Sequence, residues 1–206
     1  MVKQINSSVK DENLIRKRRT QLQKGAVKLF KEKGFHKATT REIAQAAGFS
    51  IGTLYEYIRT KEDVLFLVCD AIYDEVKSRM EALIDPSATS EEAVFQVMKS
   101  YFELMDDMQD ELLILYQELK VLSKEAKDYV FEKEKAMVRI IEKVIQNNYP
   151  HLNEKELKII SNNVVIQGQM WAFRRWLIQK EFQLEEYTKI QFDLLIRQTR
   201  QTKNVY

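Results

Sequence analysis

The sequence contains few of the residues that interrupt helices or link segments covalently. Among its 206 residues are five glycines, two prolines and one cysteine. So little turn-forming chemistry argues against a fold of many strands joined by tight turns, and Cys69 alone cannot form a disulfide within the chain. With only two histidines, His36 and His151, the usual zinc ligand sets cannot be assembled. We therefore expect an all-helical protein without a metal or another cofactor.

Long apolar runs are also missing. The longest stretch without charge, residues 159–173, has 15 residues and includes Ser, Asn and Gln. A helix that spans a bilayer needs roughly 20 mostly apolar residues. The first 25 residues are polar and basic and lack the apolar core of a secretory signal. These features predict a cytoplasmic protein with no membrane partner.

Charge is unevenly distributed along the chain. Residues 1–62 carry 14 Lys/Arg and 6 Asp/Glu, a net charge of +8, whereas residues 63–206 carry 19 and 25, a net charge of −6. A basic segment favours a polyanionic partner, although a solvated basic face with no partner is the alternative. The difference predicts two domains, residues 1–62 and residues 63–206, with different partners.

Apolar residues recur at helical spacing through most of the chain and predict about nine helices. Thr39 with Glu42, and Thr60 with Asp63, have the spacing of capping boxes at helix starts. Gly48 separates two short helices. The predicted architecture is an N-terminal three-helix domain followed by a larger C-terminal helical domain, whose last two helices cover about residues 153–179 and 184–202.

The two short helices around Gly48 predict a helix-turn-helix, whose second helix can enter the major groove of DNA. In that second helix Leu54 and Ile58 lie one turn apart and are expected to face the core. The residues then expected to face outward are Ile51, Gly52, Thr53, Tyr55 and Tyr57. Hydroxyl groups of this kind reach phosphates and base edges, and an isoleucine side chain can touch a thymine methyl group.

The run "TTREIAQAAGFSIGTLYEYIRTKEDVLF", residues 39–66, resembles the DNA-binding domain of the TetR family of bacterial transcriptional repressors. The likeness covers about residues 20–66 and departs from the family pattern at Val64, where leucine is commonest. It implies a homodimer that binds an operator in double-stranded DNA and a larger domain that binds a small effector. Lys61 is implied to anchor a phosphate at a helix start, where free amides also favour anions. The full set of predicted DNA-contacting residues is Thr40, Arg41, Ser50, Ile51, Gly52, Thr53, Tyr55, Tyr57 and Lys61.

The predicted helix over residues 153–179 has two distinct faces. One carries small and apolar residues at steps of three and four and, with the dimer implied by the resemblance, predicts a dimer interface of Val165, Gly168, Ala172 and Trp176. The other mixes polar and bulky apolar groups, as ligand pockets do, although such residues can equally form ordinary core. The candidate ligand-binding residues are Tyr101, Met105, Tyr116, Leu119, Met137, Asn163, Gln167, Met170, Trp171 and Arg174. A pocket with an apolar wall and a nearby cation resembles the pockets of relatives that sense fatty acyl-coenzyme A. This resemblance suggests a small hydrophobic effector such as a long-chain acyl-coenzyme A.

The sequence contains no constellation that predicts catalysis. It has no Glu-x-x-His pair, phosphate loop or nucleophile elbow. Two other binding functions remain open: an architectural DNA-binding protein without ligand control, and a membrane-surface module built on the basic N-terminal helix. The basic run Arg16–Arg19 can be a DNA-contacting arm or a solvated helix face. The helix-turn-helix spacing favours a ligand-responsive transcriptional regulator.

Overall fold

The structure, a computed structural model, describes residue 5, residues 7–83 and residues 89–202. Over these residues it is all-helical, as predicted, with ten α-helices and one short 3-10 turn. The helices are α1 (Glu12–Lys33), α2 (Thr40–Ala46), α3 (Ile51–Tyr57), α4 (Lys61–Leu83), α5 (Glu91–Asp107), α6 (Gln109–Glu118), α7 (Lys124–Asn148), α8 (Glu154–Phe173), α9 (Arg175–Glu181) and α10 (Leu184–Thr202); the 3-10 turn is Leu119–Val121. None of them combines the length and the apolar composition needed to cross a bilayer.

The described part of the chain has one helix more than the nine predicted, because the helix expected over residues 153–179 is broken. At Arg174 the backbone leaves helical geometry, with φ −110° and ψ 28°. The Arg174 amide still closes α8 by donating to Met170, and the Arg174 carbonyl accepts from Leu177 and Ile178 as α9 begins. Continuous apolar spacing across this point concealed the break.

Both predicted capping boxes are confirmed. The Thr39 hydroxyl accepts a hydrogen bond from the Glu42 amide, and the Glu42 carboxylate accepts one from the Thr39 amide, at the start of α2. At the start of α4, the Asp63 carboxylate accepts from the Thr60 amide while the Asp63 amide donates to the Thr60 hydroxyl. These reciprocal bonds satisfy amides that helix starts leave without partners, and they fix where the two helices begin.

The chain forms two compact units. The first comprises the described residues up to Asp74 together with Asp110–Lys133, and the second comprises Glu75–Gln109 together with the described residues from Glu134 onward. The first unit contains α1, α2 and α3, and the second contains α5, α8, α9 and α10. These units do not test the predicted division into a DNA-binding domain, residues 1–62, and a ligand-binding domain, residues 63–206, which stays a prediction.

In the second unit, α5 packs against both α8 and α10. A Cβ atom added to Gly168 would lie 2.6 Å from Cε1 of Tyr101 and 2.9 Å from Cδ1 of Phe102. Gly168 therefore lets α5 approach α8 within the same chain. Val165 and Ala172 are also buried. The prediction that this face of α8 forms the dimer interface is wrong for these three residues, and only Trp176 of that set is exposed.

Candidate nucleic-acid interface

The helix-turn-helix depends on a close approach between α1 and the end of α2. A Cβ atom at Gly25 would lie 2.8 Å from the backbone nitrogen of Ala47 and 2.9 Å from the carbonyl carbon of Ala46. Since both neighbours are backbone atoms, no side-chain rotation could relieve the clash. After α2 the chain turns at Gly48, whose φ of 75° lies in the left-handed region that glycine adopts without strain. Gly25 therefore lets α1 lie against the end of α2, and Gly48 lets the chain turn from α2 toward α3.

The inner side of α3 anchors the helix in the core of the first unit. Leu54 and Ile58 are fully buried, as predicted. Tyr57 is only 3% exposed, with its ring centroid 6.3 Å from that of Phe49. The expectation that Tyr57 faces outward is therefore wrong. It lies three residues after Leu54, so it shares the inner face of the helix with Leu54.

The outer side of α3 and the start of α2 present a polar surface, which we call the α3 face. It consists of Thr40, Arg41, Ser50, Ile51, Gly52, Thr53 and Tyr55. The Tyr55 hydroxyl lies 3.3 Å from Thr40 Oγ1, which joins the two helices of the motif, and Ser50 Oγ lies 3.0 Å from Thr53 Oγ1. Ser50 also caps α3 by accepting from the Thr53 amide at 3.0 Å. Tyr55, 43% exposed, and the exposed Arg41 leave donors open to a partner.

Gly52 lies on the α3 face under quite different conditions from Gly25. A Cβ atom at Gly52 would meet only Ser50 Oγ, at an ordinary 3.7 Å. Its backbone conformation is that of an ordinary helix residue, since the glycines with positive φ are Gly34 and Gly48 in the described chain. Nothing within the described chain therefore requires glycine at position 52, and a bare backbone there lets another molecule approach closely.

Lys61 is occupied by contacts within the first unit. Its Nζ donates to the backbone carbonyls of Phe35, His36 and Ala38 at 3.0, 3.3 and 3.2 Å, and lies 4.3 Å from the Phe35 ring centroid. The ammonium group thus stabilises the loop between α1 and α2. A phosphate contact by Lys61 stays a prediction, and no local pattern in the sequence signals this structural role.

The basic run at the start of α1 divides into two kinds of residue. Arg16 and Lys17 are exposed. The Arg18 guanidinium lies 5.1 Å from the Phe49 ring centroid and donates to Gln21. Arg19 Nη2 donates to the Ile5 carbonyl at 2.6 Å. Half of the run therefore has partners within the protein, whereas the other half is open to solvent.

The predicted ligand-binding residues belong to both units and differ in burial. Tyr101, Met105, Met137 and Trp171 are buried in the second unit. Two of them have fixed partners: the Tyr101 hydroxyl donates to the Val165 carbonyl at 3.4 Å, and Trp171 Nε1 donates to Asp106 at 2.6 Å. These four side chains act as core residues in the described chain. Five other members of the predicted set are partly exposed: Tyr116 and Leu119 in the first unit, and Asn163, Gln167 and Met170 in the second.

A surface pocket of about 620 Å³ lies between α7 and α8 in the second unit. Its lining comprises Lys135, Val138, Arg139, Glu142, Lys158, Ile159, Asn162 and Asn163. Asn163 is the member of the predicted ligand set that contributes to it. The lining holds three cationic side chains and one carboxylate, and Lys158 also pairs with Glu154 at 2.6 Å. Arg174 lies outside the pocket, with its guanidinium 5.7 Å from the Trp176 ring centroid.

Comparison with known proteins supports the interpretation of the helix-turn-helix. Residues 22–68 match the model of a family described as bacterial regulatory proteins, tetR family. The HTH-type transcriptional regulator HbdR of Aromatoleum sp. (strain CIB) is 28% identical over 198 residues, which cover 93% of this chain and 85% of that protein.

Two solved structures share the fold. A bacterial regulatory protein in the tetR family from Rhodococcus RHA1 aligns with a TM-score of 0.76 at 18% identity, over 88% of this chain and 96% of that chain. AibR, solved in complex with isovaleryl coenzyme A and operator DNA, aligns with a TM-score of 0.65 at 19% identity, over 86% and 97%. Residues 22–68 therefore form a domain of the tetR family of bacterial regulatory proteins, and the chain as a whole shares its fold with the two solved structures.

Proposed function

We propose that this protein is a cytoplasmic, ligand-responsive repressor that binds a palindromic operator as a homodimer and is released by a small hydrophobic effector. The α3 face is the observation that carries the proposal. Its hydroxyl groups, the Arg41 guanidinium and the bare backbone at Gly52 lie on the outer side of a helix-turn-helix whose inner side is buried. Such a surface can contact phosphates and base edges in a major groove.

A palindromic operator requires two copies of α3, so the proposal includes a homodimer. The exposed side chains of Ile166 on α8 and of Ile190 and Leu194 on α10 support it. They are large apolar groups that a second copy of the chain could cover, and this surface replaces the buried face of α8 that the sequence suggested. In such a dimer the two α3 helices lie one or more DNA turns apart and contact two half-sites.

The pocket between α7 and α8 is the proposed effector site. Lys135, Arg139 and Lys158 offer cations to phosphate groups, while Val138 and Ile159 offer apolar contact to an acyl chain. A long-chain acyl-coenzyme A carries both chemistries, and AibR was solved with a coenzyme A ester bound. Release of DNA requires that the effector bind more tightly to the conformation that does not bind the operator.

The proposal is tested by a mobility-shift titration against DNA that flanks the protein's own gene, at fixed salt because phosphate contacts make the affinity salt-dependent. We expect a specific complex that a long-chain acyl-coenzyme A dissolves. If the complex persists at saturating acyl-coenzyme A, that molecule is not the effector, although operator binding itself would still be supported. Failure to form a specific complex with any promoter fragment would contradict the repressor itself.

Two single substitutions locate the effector site. Arg139→Ala removes a cation from the pocket, whereas Arg174→Ala removes an exposed cation outside its lining and serves as the control. With operator binding intact in both variants, Arg139→Ala should weaken acyl-coenzyme A binding in calorimetry and Arg174→Ala should not. The reverse result would move the site to the end of α8, as the sequence first suggested, and a loss of dimer in Arg174→Ala would place that residue at the interface.

A further inference from the structure

The segment that precedes α1 folds back onto the C-terminal end of α3. The Ser8 amide donates to the Glu56 carbonyl at 3.0 Å, and the hydroxyl groups of Ser7 and Ser8 reach the same carbonyl at 2.8 and 3.3 Å. The Val9 amide donates to the Ser7 hydroxyl, which holds that side chain in place. Ile5 is only 8% exposed.

Arg19 connects this segment to α3. Its Nη2 donates to the Ile5 carbonyl at 2.6 Å and lies 3.5 Å from the Tyr57 carbonyl. Burial lowers the pKa of the Arg19 guanidinium and the charge of Asp63 raises it, but arginine stays protonated in proteins. We call Ile5, Ser7, Ser8 and Arg19 the N-terminal clamp.

The clamp supplies what the end of a short helix lacks. The last carbonyls of any helix have no partner within it, and in α3 the carbonyls of Glu56 and Tyr57 receive donors from the clamp instead. A cation at this end also interacts favourably with the helix dipole. Because α3 has only seven residues, its own hydrogen bonds contribute little stability, and tertiary contacts determine where it lies. Ser50 holds one end and the clamp holds the other.

We propose that the four residues of the N-terminal clamp are positioning elements for α3: they fix the C-terminal end of the recognition helix and so raise operator affinity without contacting DNA themselves. This inference rests on the proposed operator binding. It assigns Arg19 a role opposite to that of a DNA-contacting arm, although both roles predict weaker binding when Arg19 is lost. The two roles differ in salt dependence and in the behaviour of the protein without DNA.

The first test uses the free full-length protein. Amide hydrogen exchange should show that the Ser8 amide is protected in the unsubstituted chain. Arg19→Gln should accelerate exchange at Ser8 and at Ile58, which closes α3, at least tenfold. The control Arg16→Gln removes the same charge from an exposed position of α1 and should change neither rate. An unprotected Ser8 amide, or unchanged rates in Arg19→Gln, would overturn the clamp whether or not the protein binds DNA.

The second test measures operator affinity over a series of salt concentrations. Arg19→Gln should bind the operator fragment at least tenfold more weakly, with the same slope of log affinity against log salt as the unsubstituted chain. Arg19→Lys keeps the positive charge but loses the planar guanidinium whose Nη2 reaches both carbonyls, so its affinity should lie between them. A slope reduced by about 1 would identify a phosphate contact and overturn the proposal. If the unsubstituted chain binds normally and Arg19→Gln binds with the same affinity, only this inference is contradicted. If the unsubstituted chain binds no fragment, the proposed function is contradicted.

A second variant covers the case in which Arg19→Gln does not fold, as judged by circular dichroism. Ile5→Asp leaves Arg19 in place and disfavours burial of the first segment. It should reproduce the faster exchange at Ser8 and the weaker operator binding with an unchanged salt slope. A folded Ile5→Asp protein with the Ser8 protection and affinity of the unsubstituted chain would overturn the proposal.

Discussion

The α3 face and the exposed side of α8 and α10 are built from opposite chemistry. The first offers hydroxyl groups and a guanidinium on a short helix in the unit that holds the basic N-terminal segment. The second offers Ile166, Ile190 and Leu194, large apolar side chains on long helices. A hydrophilic surface loses little by facing water and gains from a polyanion, whereas an apolar surface gains by being covered. In the proposed function the first surface therefore binds DNA and the second binds another copy of the chain.

The largest effect should come from a charge on the apolar surface. In Leu194→Asp an unpaired carboxylate would be buried in the dimer, which costs several kcal/mol. We expect a monomer in sedimentation velocity and, since two linked half-sites are lost, operator affinity lower by roughly a hundredfold or more. Lys189→Asp, also exposed on α10 but directed elsewhere on the helix, should remain dimeric. A dimeric Leu194→Asp protein would remove this surface from the interface.

The next effect separates two tyrosines on the same helix. Tyr57→Ala removes a buried aromatic side chain and should destabilise the protein by about 3 kcal/mol in urea unfolding. Tyr55→Ala should leave unfolding nearly unchanged and weaken operator binding by more than about 1 kcal/mol at fixed salt. Tyr55→Phe isolates the hydroxyl that lies near Thr40. Unchanged operator affinity in Tyr55→Ala would refute a contact between Tyr55 and the operator.

A smaller effect distinguishes two glycines by the space around them. Gly25→Ala forces a Cβ atom against the backbone of α2 and should cost about 1–3 kcal/mol of stability. Gly52→Ala has room, and alanine favours a helix over glycine by roughly 0.5–1 kcal/mol, so the thermal midpoint should rise slightly. If the α3 backbone lies against DNA, the same substitution should weaken operator binding. Equal or tighter operator binding would show that position 52 does not approach the groove.

The smallest effect concerns the support of α2 by its cap. Hydrogen bonds from Lys33 and then from Thr39 lower the pKa of Glu42 from 4.5 to about 2. Because the folded value is below the unfolded one, this stabilisation is present above about pH 4.5 and is lost as the pH falls toward about 2. Thermal unfolding of Glu42→Gln should therefore differ from that of the unsubstituted chain at neutral pH, and the difference should shrink over this window. A difference independent of pH would show that the carboxylate charge is not involved.

The sequence predicts the helix-turn-helix well because its signals are local. Thr39 and Glu42 are three residues apart, and Gly48 needs only its own positive φ to end α2. The positions of Leu54 and Ile58 follow from one turn of helix in the same way. Such features depend on few contacts outside the segment, so a short stretch of sequence determines them.

Elsewhere the same periodicity is ambiguous, because it groups residues on one face without saying what covers that face. Gly168 and its neighbours form a genuine close-approach surface, but the helix that approaches is α5 of the same chain. No local sequence pattern predicts the N-terminal clamp, because the Ser7 hydroxyl donates to a carbonyl 49 residues away. In the sequence Arg19 likewise cannot be distinguished from the other cations of its basic run, because its hydrogen-bond partners are distant carbonyls.

We assign DNA binding to the α3 face and dimer formation to the apolar surface of α8 and α10. The most direct test of both is the composition of the operator complex, measured by sedimentation together with a footprint on the same DNA. We predict two chains, or a multiple of two, on each duplex, with protection that is symmetric about the operator centre. A single chain protecting one half-site would contradict the account, because the α3 face would then bind DNA without the apolar surface of α8 and α10 having joined two copies.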